Sequence, residues 1–488
     1  MRTKSLVMLA LLGGMSFGAV GCGGSLSLGG GKAKPLSAGD KSGRHTAKGH
    51  EVSKAAAASF DRALDSFAAH DKKQDWNEAA CTEVSKAFLD ANSEQKSANN
   101  TQIPEALYNS GLAYQRCGKD NEAKAQYEAA VQSDAQMHRA RAQLALYEFQ
   151  RTGDMGQAIR QLDVIIRDAK FQNAEALVAL AALQMDRGGD ESGEGCKNDL
   201  ECAQRNLQRA LAIDDSYMPA FNQLAIYYLE QAKAKAGMKR RGRGGKRTLV
   251  VSGTKGVDVN EQQLDLAALV ASQAQRKNQN YAPLHNTTGL ILVELRNFNG
   301  AVKAFGRARQ LDPKFFEAHM NYAAVNLSFR GFSEAERAYR DALKLRPKEY
   351  EAHLGLALAM RGQIGDSNFQ KYVDEAQKHL DECKKIDSQR PETYYNEAIL
   401  TQEFRAKRGN AVPMLQKASQ QYNDFVSKAG GDEQFAAAVK RSKERVQDID
   451  DMVKFIREGE QAAKEDAARQ AAEKNKPKPA PAAPPAKK

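Results

Sequence analysis

A set of small and aromatic residues that recurs every 34 residues constrains the fold of this chain more than any other feature. Within residues 282–347 the set occurs twice: Gly289, Ala301, Phe305, Ala308 and Pro313 are followed by Ala323, Ala335, Tyr339, Ala342 and Pro347. Residues 104–137 carry it again, as Leu107, Gly111, Tyr114, Ala123, Tyr127 and Ala130. A fixed period of this length indicates stacked helix pairs, because a single pair cannot bury its own apolar face.

The segments FNGAVKAFGRARQLDP and FSEAERAYRDALKLRP resemble the tetratricopeptide repeat (TPR). In such repeats small residues let helices A and B of one pair approach closely, aromatic residues fill the space toward the next repeat, and proline ends helix B. Weaker copies occupy 52–93, 139–170, 174–214, 218–279, 350–388 and 391–426. We therefore expect an all-α fold, a TPR superhelical solenoid of about eight or nine helix pairs.

The parts of the chain without repeats complete the predicted domain organisation. The predicted segments are a lipoprotein signal peptide at 1–21, a lipidated Cys22 with a flexible tether at 22–50, the TPR array at 51–430 with insertions at 188–199 and 235–260, a charged capping helix at 431–472, and a disordered Lys/Pro/Ala tail at 473–488.

The N-terminus combines a short positive start with an apolar stretch at 6–20, which is shorter than the ~20 residues of a transmembrane helix. The run from Gly18 to Cys22 resembles a bacterial lipobox, although Ala19 stands where Leu is commonest. The resemblance implies lipid attachment at Cys22 with acyl chains such as palmitate, and Gly23 implies sorting to the outer membrane. Ordinary signal cleavage near Ala19, which leaves Cys22 free, is the alternative.

The charge and the cysteines limit the function classes. A net charge of +11 permits contact with anionic surfaces but does not by itself indicate nucleic-acid binding, and we expect none. Cys196 and Cys202 either form a local disulfide in an oxidising compartment or remain two buried thiols. We expect Cys81, Cys117 and Cys383 to be packed thiols.

The chain lacks a P-loop, a GxSxG motif, an HExxH motif and a Cys-x-x-Cys pair, so we expect neither an enzyme nor a cofactor. His285, His319 and His353 are spaced by 34 residues and could form a metal-binding or pH-sensing ladder. Neighbouring helices lie ~8–10 Å apart, whereas metal–nitrogen bonds are ~2 Å long. The spacing therefore favours a repeated packing position, and we predict no metal site.

In TPR arrays the second, fifth, ninth and twelfth residues of the A helices face the concave groove in which partners bind. The predicted lining is mostly apolar and amide, which suits an amphipathic helix or an extended apolar peptide. It consists of Tyr108, Leu112, Gln115, Asn222, Ile226, Leu229, Asn286, Leu290, Met320, Leu327, Leu354, Arg361 and Tyr395.

The insertion at 235–260 holds a dense basic run: Lys239, Arg240, Arg241, Arg243, Lys246 and Arg247. It could contact anionic lipid headgroups, an acidic partner or a cell-wall polymer. The alternative is a solvated loop without a binding role.

The lipobox, the tether, the long repeat array and the Lys/Pro tail together resemble the outer-membrane TPR lipoproteins of bacterial envelope machines, among them the gliding-motility TPR lipoproteins of myxobacteria. The resemblance implies a lipid-anchored scaffold on the periplasmic face of the outer membrane, with outer-membrane and periplasmic subunits of an envelope complex as partners. Two alternatives are a pilotin-type assembly factor for a secretin and a lipoprotein activator of cell-wall synthases.

Overall fold

A computed structural model of the chain describes residues 32–38, 43–73, 75–191, 195–234, 260–408 and 410–474. Two short strands come first: β1 (Ser37–Ala38) pairs antiparallel with β2 (Arg44–His45). The α-helices follow: α1 (Lys54–Lys73), α2 (Glu78–Asn99), α3 (Pro104–Arg116), α4 (Asp120–Ser133), α5 (His138–Thr152), α6 (Met155–Asp168), α7 (Ala174–Arg187), α8 (Asp199–Ile213), α9 (Met218–Ala234), α10 (Glu261–Lys277), α11 (Ala282–Glu294), α12 (Phe298–Leu311), α13 (Phe316–Ser328), α14 (Phe332–Leu345), α15 (Tyr350–Arg361), α16 (Phe369–Ile386), α17 (Pro391–Glu403), α18 (Ala411–Ala429) and α19 (Ala436–Lys474). Short 3-10 helices lie at Arg405–Lys407 and Glu433–Phe435.

Successive helices pack in pairs, with odd-numbered helices as A and even-numbered helices as B from α1 to α18. The predicted all-α fold of stacked helix pairs is thereby confirmed. The chain divides into two compact units, described separately below: the N-terminal unit ends at Tyr322 and the C-terminal unit begins at Ala323.

Local sequence sets where these helices begin. Four B helices start after an asparagine whose side-chain oxygen accepts a backbone N–H of the first turn: Asn77 for α2, Asn198 for α8, Asn260 for α10 and Asn297 for α12. Each such cap contributes about 1 kcal/mol. Two A helices, α3 and α17, instead begin with proline, which lacks the N–H that this position would leave unpaired.

In the N-terminal unit, aromatic rings of B helices lie against glycines of A helices. A Cβ atom on Gly289 would be 2.4 Å from the Phe305 ring, and one on Gly111 would be 2.6 Å from the Tyr127 ring. The Tyr127 ring also reaches toward the next repeat, where its centroid lies 6.3 Å from that of Tyr147. The recurring small and aromatic positions are therefore matched pairs that set the distance between helices.

In the C-terminal unit the same contact joins successive repeats. A Cβ atom on Gly355 of α15 would be 2.2 Å from the ring of Tyr339, which belongs to the preceding B helix, α14. Farther along, the centroids of Tyr395 and Phe425 lie 5.0 Å apart in a cluster that includes Ile449 of α19. The terminal helix α19 thus buries part of one face against the last helix pair.

Four of the cysteines form two disulfides. Cys196 is bonded to Cys202, which is one of the two alternatives that the sequence left open. Cys81 is bonded to Cys117, so the prediction that these two are separate packed thiols is wrong. Because α2 and α3 run antiparallel, the first turn of α2 and the end of α3 lie side by side. Cys383 is a buried free thiol, as predicted.

The described residues before α1 do not form a free tether. Leu36 and Val52 are 4% and 3% exposed and belong to the core cluster of the N-terminal unit. The Ser53 N–H donates to Gln95 Oε1 of α2 at 2.8 Å. The predicted flexible tether at 22–50 is therefore wrong for residues 32–38 and 43–50, because their apolar side chains and backbone groups pack against the first repeats.

Several predicted features lie outside the described residues: the signal peptide, Cys22, nearly all of the insertion at 235–260 with its basic run, and the tail from residue 475. The insertion predicted at 188–199 corresponds to the link between α7 and α8, of which residues 192–194 are not described. Within the described ranges, no helix combines the length and the apolar character needed to span a membrane.

Candidate protein-binding surface

A row of polar residues lies at the beginning of successive A helices in the N-terminal unit. Glu105, Arg139 and Glu175 are each the second residue of their helix, in α3, α5 and α7. Equal positions of successive repeats fall side by side in a solenoid. Arg139 Nη1 accordingly lies 3.6 Å from Glu175 Oε1, and Asn109 lies one turn further along α3 than Glu105. We call Glu105, Asn109, Arg139 and Glu175 the A-helix row.

Residues 32–36 of the same chain, here called the N-terminal segment, lie along this row. The Lys32 N–H donates to Glu175 Oε1 at 3.0 Å, and the Lys32 carbonyl accepts from Arg139 Nη1 at 3.3 Å. The Lys34 N–H donates to Asn109 Oδ1 at 2.7 Å, and Asn109 Nδ2 donates to the Lys34 carbonyl at 2.9 Å. The row therefore holds the segment by its main chain at alternate residues, as a groove holds an extended peptide.

The lysine side chains of this region meet acidic groups. Lys32 Nζ pairs with Asp214 and donates to Ser216 Oγ at 3.4 Å. Burial lowers the pKa of Lys34, while the carboxylates of Glu105, Asp134 and Glu175 act in the opposite direction and favour its charged form. Acidic groups therefore lie near both lysines, with an ion pair at Lys32, while at Lys34 the effect of burial on the pKa outweighs that of the carboxylates.

The residues after β2 add a second layer of contacts to the row. The Ala47 N–H donates to Glu105 Oε1 at 2.7 Å, and Glu105 is fully buried. Lys48 Nζ donates to the Ser133 carbonyl at 2.8 Å and lies 3.7 Å from Asp134. Residues 32–36 and 47–48 thus make separate contacts with α3 and its neighbours.

Glu175 also connects the row to the aromatic core beneath it. The Tyr108 hydroxyl donates to Glu175 Oε2 at 3.2 Å. Burial raises the pKa of Tyr108, and the nearby Glu175 carboxylate raises it further. Tyr108 therefore remains a neutral donor and holds Glu175 in the orientation that receives the Lys32 N–H.

The apolar residues of the predicted groove do not form an open lining. A helices within each unit contact the next A helix directly, for example α9 with α11 and α15 with α17. The predicted positions lie between these helices, so the prediction of an accessible apolar lining is wrong for the buried members. The buried members are Tyr108, Leu112, Ile226, Leu229, Met320, Leu327, Leu354 and Tyr395.

The polar members of the predicted groove bond to the neighbouring A helix. Each bond joins one A helix to the next within the same unit, so these residues act chiefly in fixing the stacking of repeats. The bonds join Gln115 to Gln143 (3.2 Å), Asn222 to Thr287 (2.7 Å), Asn286 to Asn321 (2.9 Å) and Arg361 to Asn396 (3.0 Å). Leu290, the remaining member, is half-buried.

The three spaced histidines share one structural role. The Nε2 atoms of His285, His319 and His353 lie 2.8, 2.9 and 3.0 Å from the carbonyl of the residue six positions earlier. Each histidine thus ties the first turn of an A helix to the preceding loop, which agrees with the predicted packing role. Among the described residues, no three His, Cys, Asp or Glu side chains are grouped to hold a metal ion.

Sequence reasoning missed the A-helix row, although a signal was present. It named the second position of A helices as groove-facing but listed none of Glu105, Arg139 and Glu175, whose charges alternate at that position. It also gave no role to Asn109, at the sixth position of α3. The partner of the row came from a stretch that composition had marked as a tether.

The profile of the tetratricopeptide repeat family matches residues 104–137, which are α3, α4 and the link to α5. Among solved structures, the chain is similar to TTC0263, a thermophilic TPR protein of Thermus thermophilus, with 22% identity, 46% of this chain and 99% of that chain covered, and a TM-score of 0.35. It is similar to YrrB, a TPR protein with an unusual peptide-binding site, with 15% identity, 48% and 97% coverage, and a TM-score of 0.31. It is also similar to pilF of Pseudomonas aeruginosa, with 17% identity, 55% of this chain and 97% of that chain covered, and a TM-score of 0.36. No curated protein sequence matches the chain.

Proposed function

We propose that this TPR protein is a non-catalytic scaffold of the bacterial cell envelope that binds other proteins through the A-helix faces of its repeats. TPR proteins bind other proteins and are typically not enzymes. The observation that carries the proposal is the A-helix row, because Asn109, Arg139 and Glu175 bind a peptide segment through its main chain. Main-chain hydrogen bonds supply affinity in such a mode, and the neighbouring side chains supply specificity.

Two features support a location in the envelope. Disulfides persist in oxidising compartments such as the bacterial periplasm, and this chain has the pairs Cys81–Cys117 and Cys196–Cys202. The run that ends at Cys22 resembles a lipobox. We propose a lipid anchor on Cys22 at the periplasmic face of the outer membrane; each buried methylene of its acyl chains contributes ~0.8 kcal/mol, so several chains hold firmly.

The packed N-terminal segment shortens the spacer between that anchor and the repeats. Cys22 and Lys32 are 10 residues apart, a distance that spans at most about 36 Å. Were the chain free up to Ser53, 31 residues from Cys22, the limit would be about 110 Å. Attachment of the segment to the A-helix row therefore keeps the first repeats near the membrane surface.

Among envelope machines we propose a gliding-motility complex, with outer-membrane and periplasmic subunits as partners, on the overall likeness of the chain to TPR lipoproteins of such complexes. Co-purification from detergent-solubilised envelopes tests this. Recovery of motility subunits would support the proposal. Recovery of a secretin would overturn it in favour of a pilotin, and recovery of a penicillin-binding protein would favour a cell-wall synthase activator.

Anchoring is tested separately by Cys22→Ala. The variant should move from the membrane fraction to the soluble periplasmic fraction and should lose incorporation of labelled palmitate. A variant that stays in the membrane fraction would contradict the lipid anchor without bearing on protein binding.

A further inference from the structure

Two observations beyond the proposed function concern what the A-helix row selects. The row is already occupied by part of its own chain, and the bonds are those that a separate peptide would form. Lys32 and Lys34 supply their backbone groups to Glu175, Arg139 and Asn109. The bonded residues of the segment and of the row are separated by 75 to 143 positions in sequence, so these are tertiary contacts.

The side chains of the segment have distinct surroundings. Lys32 reaches Asp214 and Ser216, and its Nζ lies 5.9 Å from the centroid of the Tyr217 ring. Lys34 lies among carboxylates in a site buried enough to lower its pKa. Pro35 is exposed, and Leu36 is only 4% exposed. The surface thus provides an acidic partner for the side chain of Lys32, contacts the main chain of Lys34, and encloses Leu36 as an apolar residue.

Proline at position 35 contributes to this fit in a different way. It fixes its own φ angle and disfavours helical geometry at the residue before it, so Lys34 is biased toward an extended conformation. Proline also lacks a backbone N–H, so no donor at position 35 needs a hydrogen-bond partner. The pattern Lys-x-Lys-Pro therefore describes the segment that the row holds: an extended backbone with a lysine at each of the two bonded positions.

We propose that the A-helix row is a binding site for Lys-x-Lys-Pro segments and that residues 32–35 are its resident ligand, which a protein segment of the same pattern displaces. This inference rests on the proposed function as a protein-binding scaffold. The chain itself carries the pattern twice more in its sequence, at 474–477 (Lys-Asn-Lys-Pro) and at 476–479 (Lys-Pro-Lys-Pro). A peptide of residues 473–481 is therefore a natural probe.

Attachment through the chain makes the resident segment a strong competitor. A tethered ligand acts at an effective concentration of the order of millimolar, so a free peptide binds weakly until the segment is released. Lys32→Ala combined with Lys34→Ala should release it while leaving every residue of the row unchanged. Lys54→Ala, an exposed lysine at the start of α1, is the matched control.

The test measures binding of fluorescent 473–481 peptide to the full mature chain by anisotropy. We expect the Lys32→Ala/Lys34→Ala variant to bind at least tenfold more tightly than wild type and the Lys54→Ala control. Adding Asn109→Ala to the released variant should reduce binding at least tenfold, and a probe with its three lysines replaced by alanine should not bind. Equal binding by wild type and the released variant, or binding that ignores Asn109→Ala, would overturn the proposal.

Amide hydrogen exchange gives a second readout that does not depend on a variant. The Lys34 N–H is bonded to Asn109 in the resident state, so excess peptide should accelerate its exchange as the segment is displaced. Exchange that is unchanged at saturating peptide would contradict displacement. If both tests fail while co-purification still recovers envelope subunits, this inference fails and the proposed scaffold function stands.

Discussion

The side-chain amide of Asn109 satisfies both backbone polar groups of Lys34, with Oδ1 accepting its N–H at 2.7 Å and Nδ2 donating to its carbonyl at 2.9 Å. Asn109 is fully buried, and the two residues lie 75 positions apart. Because one side chain pairs with both groups of a single residue, the pair fixes the register of the N-terminal segment on α3.

Asn109→Ala should release this segment. The variant loses two hydrogen bonds that each contribute about 0.5–1.5 kcal/mol, so we expect the free energy of unfolding to fall by about 1–3 kcal/mol. Urea denaturation measures the change, and amide exchange at Lys34 should accelerate. Asn423→Ala, at an exposed position of α18, is the control. Unchanged stability and unchanged exchange in Asn109→Ala would contradict the assigned contact.

The two disulfides should differ in their contribution to stability. Cys81 and Cys117 are separated by 36 residues, whereas Cys196 and Cys202 are separated by 6. Closing the longer loop restricts the unfolded chain more, so replacing Cys81 and Cys117 by serine should lower the free energy of unfolding by about 2–4 kcal/mol. Replacing Cys196 and Cys202 by serine should lower the free energy of unfolding by a smaller amount. Non-reducing peptide mapping that finds Cys81 and Cys117 as free thiols would refute the bond.

Gly355→Ala tests the contact that sets the distance between α14 and α15. The added Cβ atom would lie 2.2 Å from the Tyr339 ring, so the helices must separate. Overpacking of this kind costs about 1–3 kcal/mol. Gly459→Ala, in α19 with nothing within 4 Å of the added atom, should instead be neutral or stabilising. Equal thermal stabilities of the two variants would argue against the close approach.

His379 should make stability depend on pH. Its Nδ1 lies 2.9 Å from that of His353, and burial together with this neighbour lowers the pKa of His379 from 6.5 to about 4. Between these values the unfolded chain binds a proton that the folded chain does not. The contribution of His379 to the free energy of unfolding should therefore be constant above pH 6.5 and should fall as the pH decreases from 6.5 to about 4.

His379→Gln should flatten this part of the pH profile, as measured by urea denaturation from pH 7 to pH 4. His50→Gln, at an exposed histidine, controls for the loss of a histidine in itself. A profile as steep in His379→Gln as in wild type would assign the pH dependence to other groups.

The sequence was sufficient for the fold because the 34-residue period records which positions meet in every repeat. The period located the small and aromatic positions, but it assigned the aromatic rings to the space toward the next repeat. The Phe305 and Tyr127 rings instead lie against Gly289 and Gly111 of their own helix pairs. The period also identified the A-helix positions, but it carries no information about how closely neighbouring A helices pack. Residues such as Leu112 and Leu354 were therefore predicted to line an open groove, whereas the structure buries them between helices.

Contacts between non-repeating residues could not be read from the period. The composition around Lys32 and Lys34 indicated a solvated tether, since nothing local shows that Asn109 and Glu175 would bind their backbone groups. Cys81 and Cys117 were missed for a different reason, because their pairing depends on two helix ends meeting across a repeat boundary. Aligning the start of each B helix with the end of the following antiparallel A helix would have brought Cys81 and Cys117 together.

The most direct test of protein binding by the A-helix faces is site-specific photo-crosslinking in intact cells. A photoreactive residue replaces Ser216 in the Lys32→Ala/Lys34→Ala chain; Ser216 is exposed and contacts the Lys32 side chain beside the A-helix row. As a matched control it replaces Val164, which is 52% exposed on the B helix α6. We expect a crosslinked envelope protein from position 216 and none of the same mass from position 164. No adduct from position 216, or the same adduct from both positions, would contradict binding through the A-helix faces.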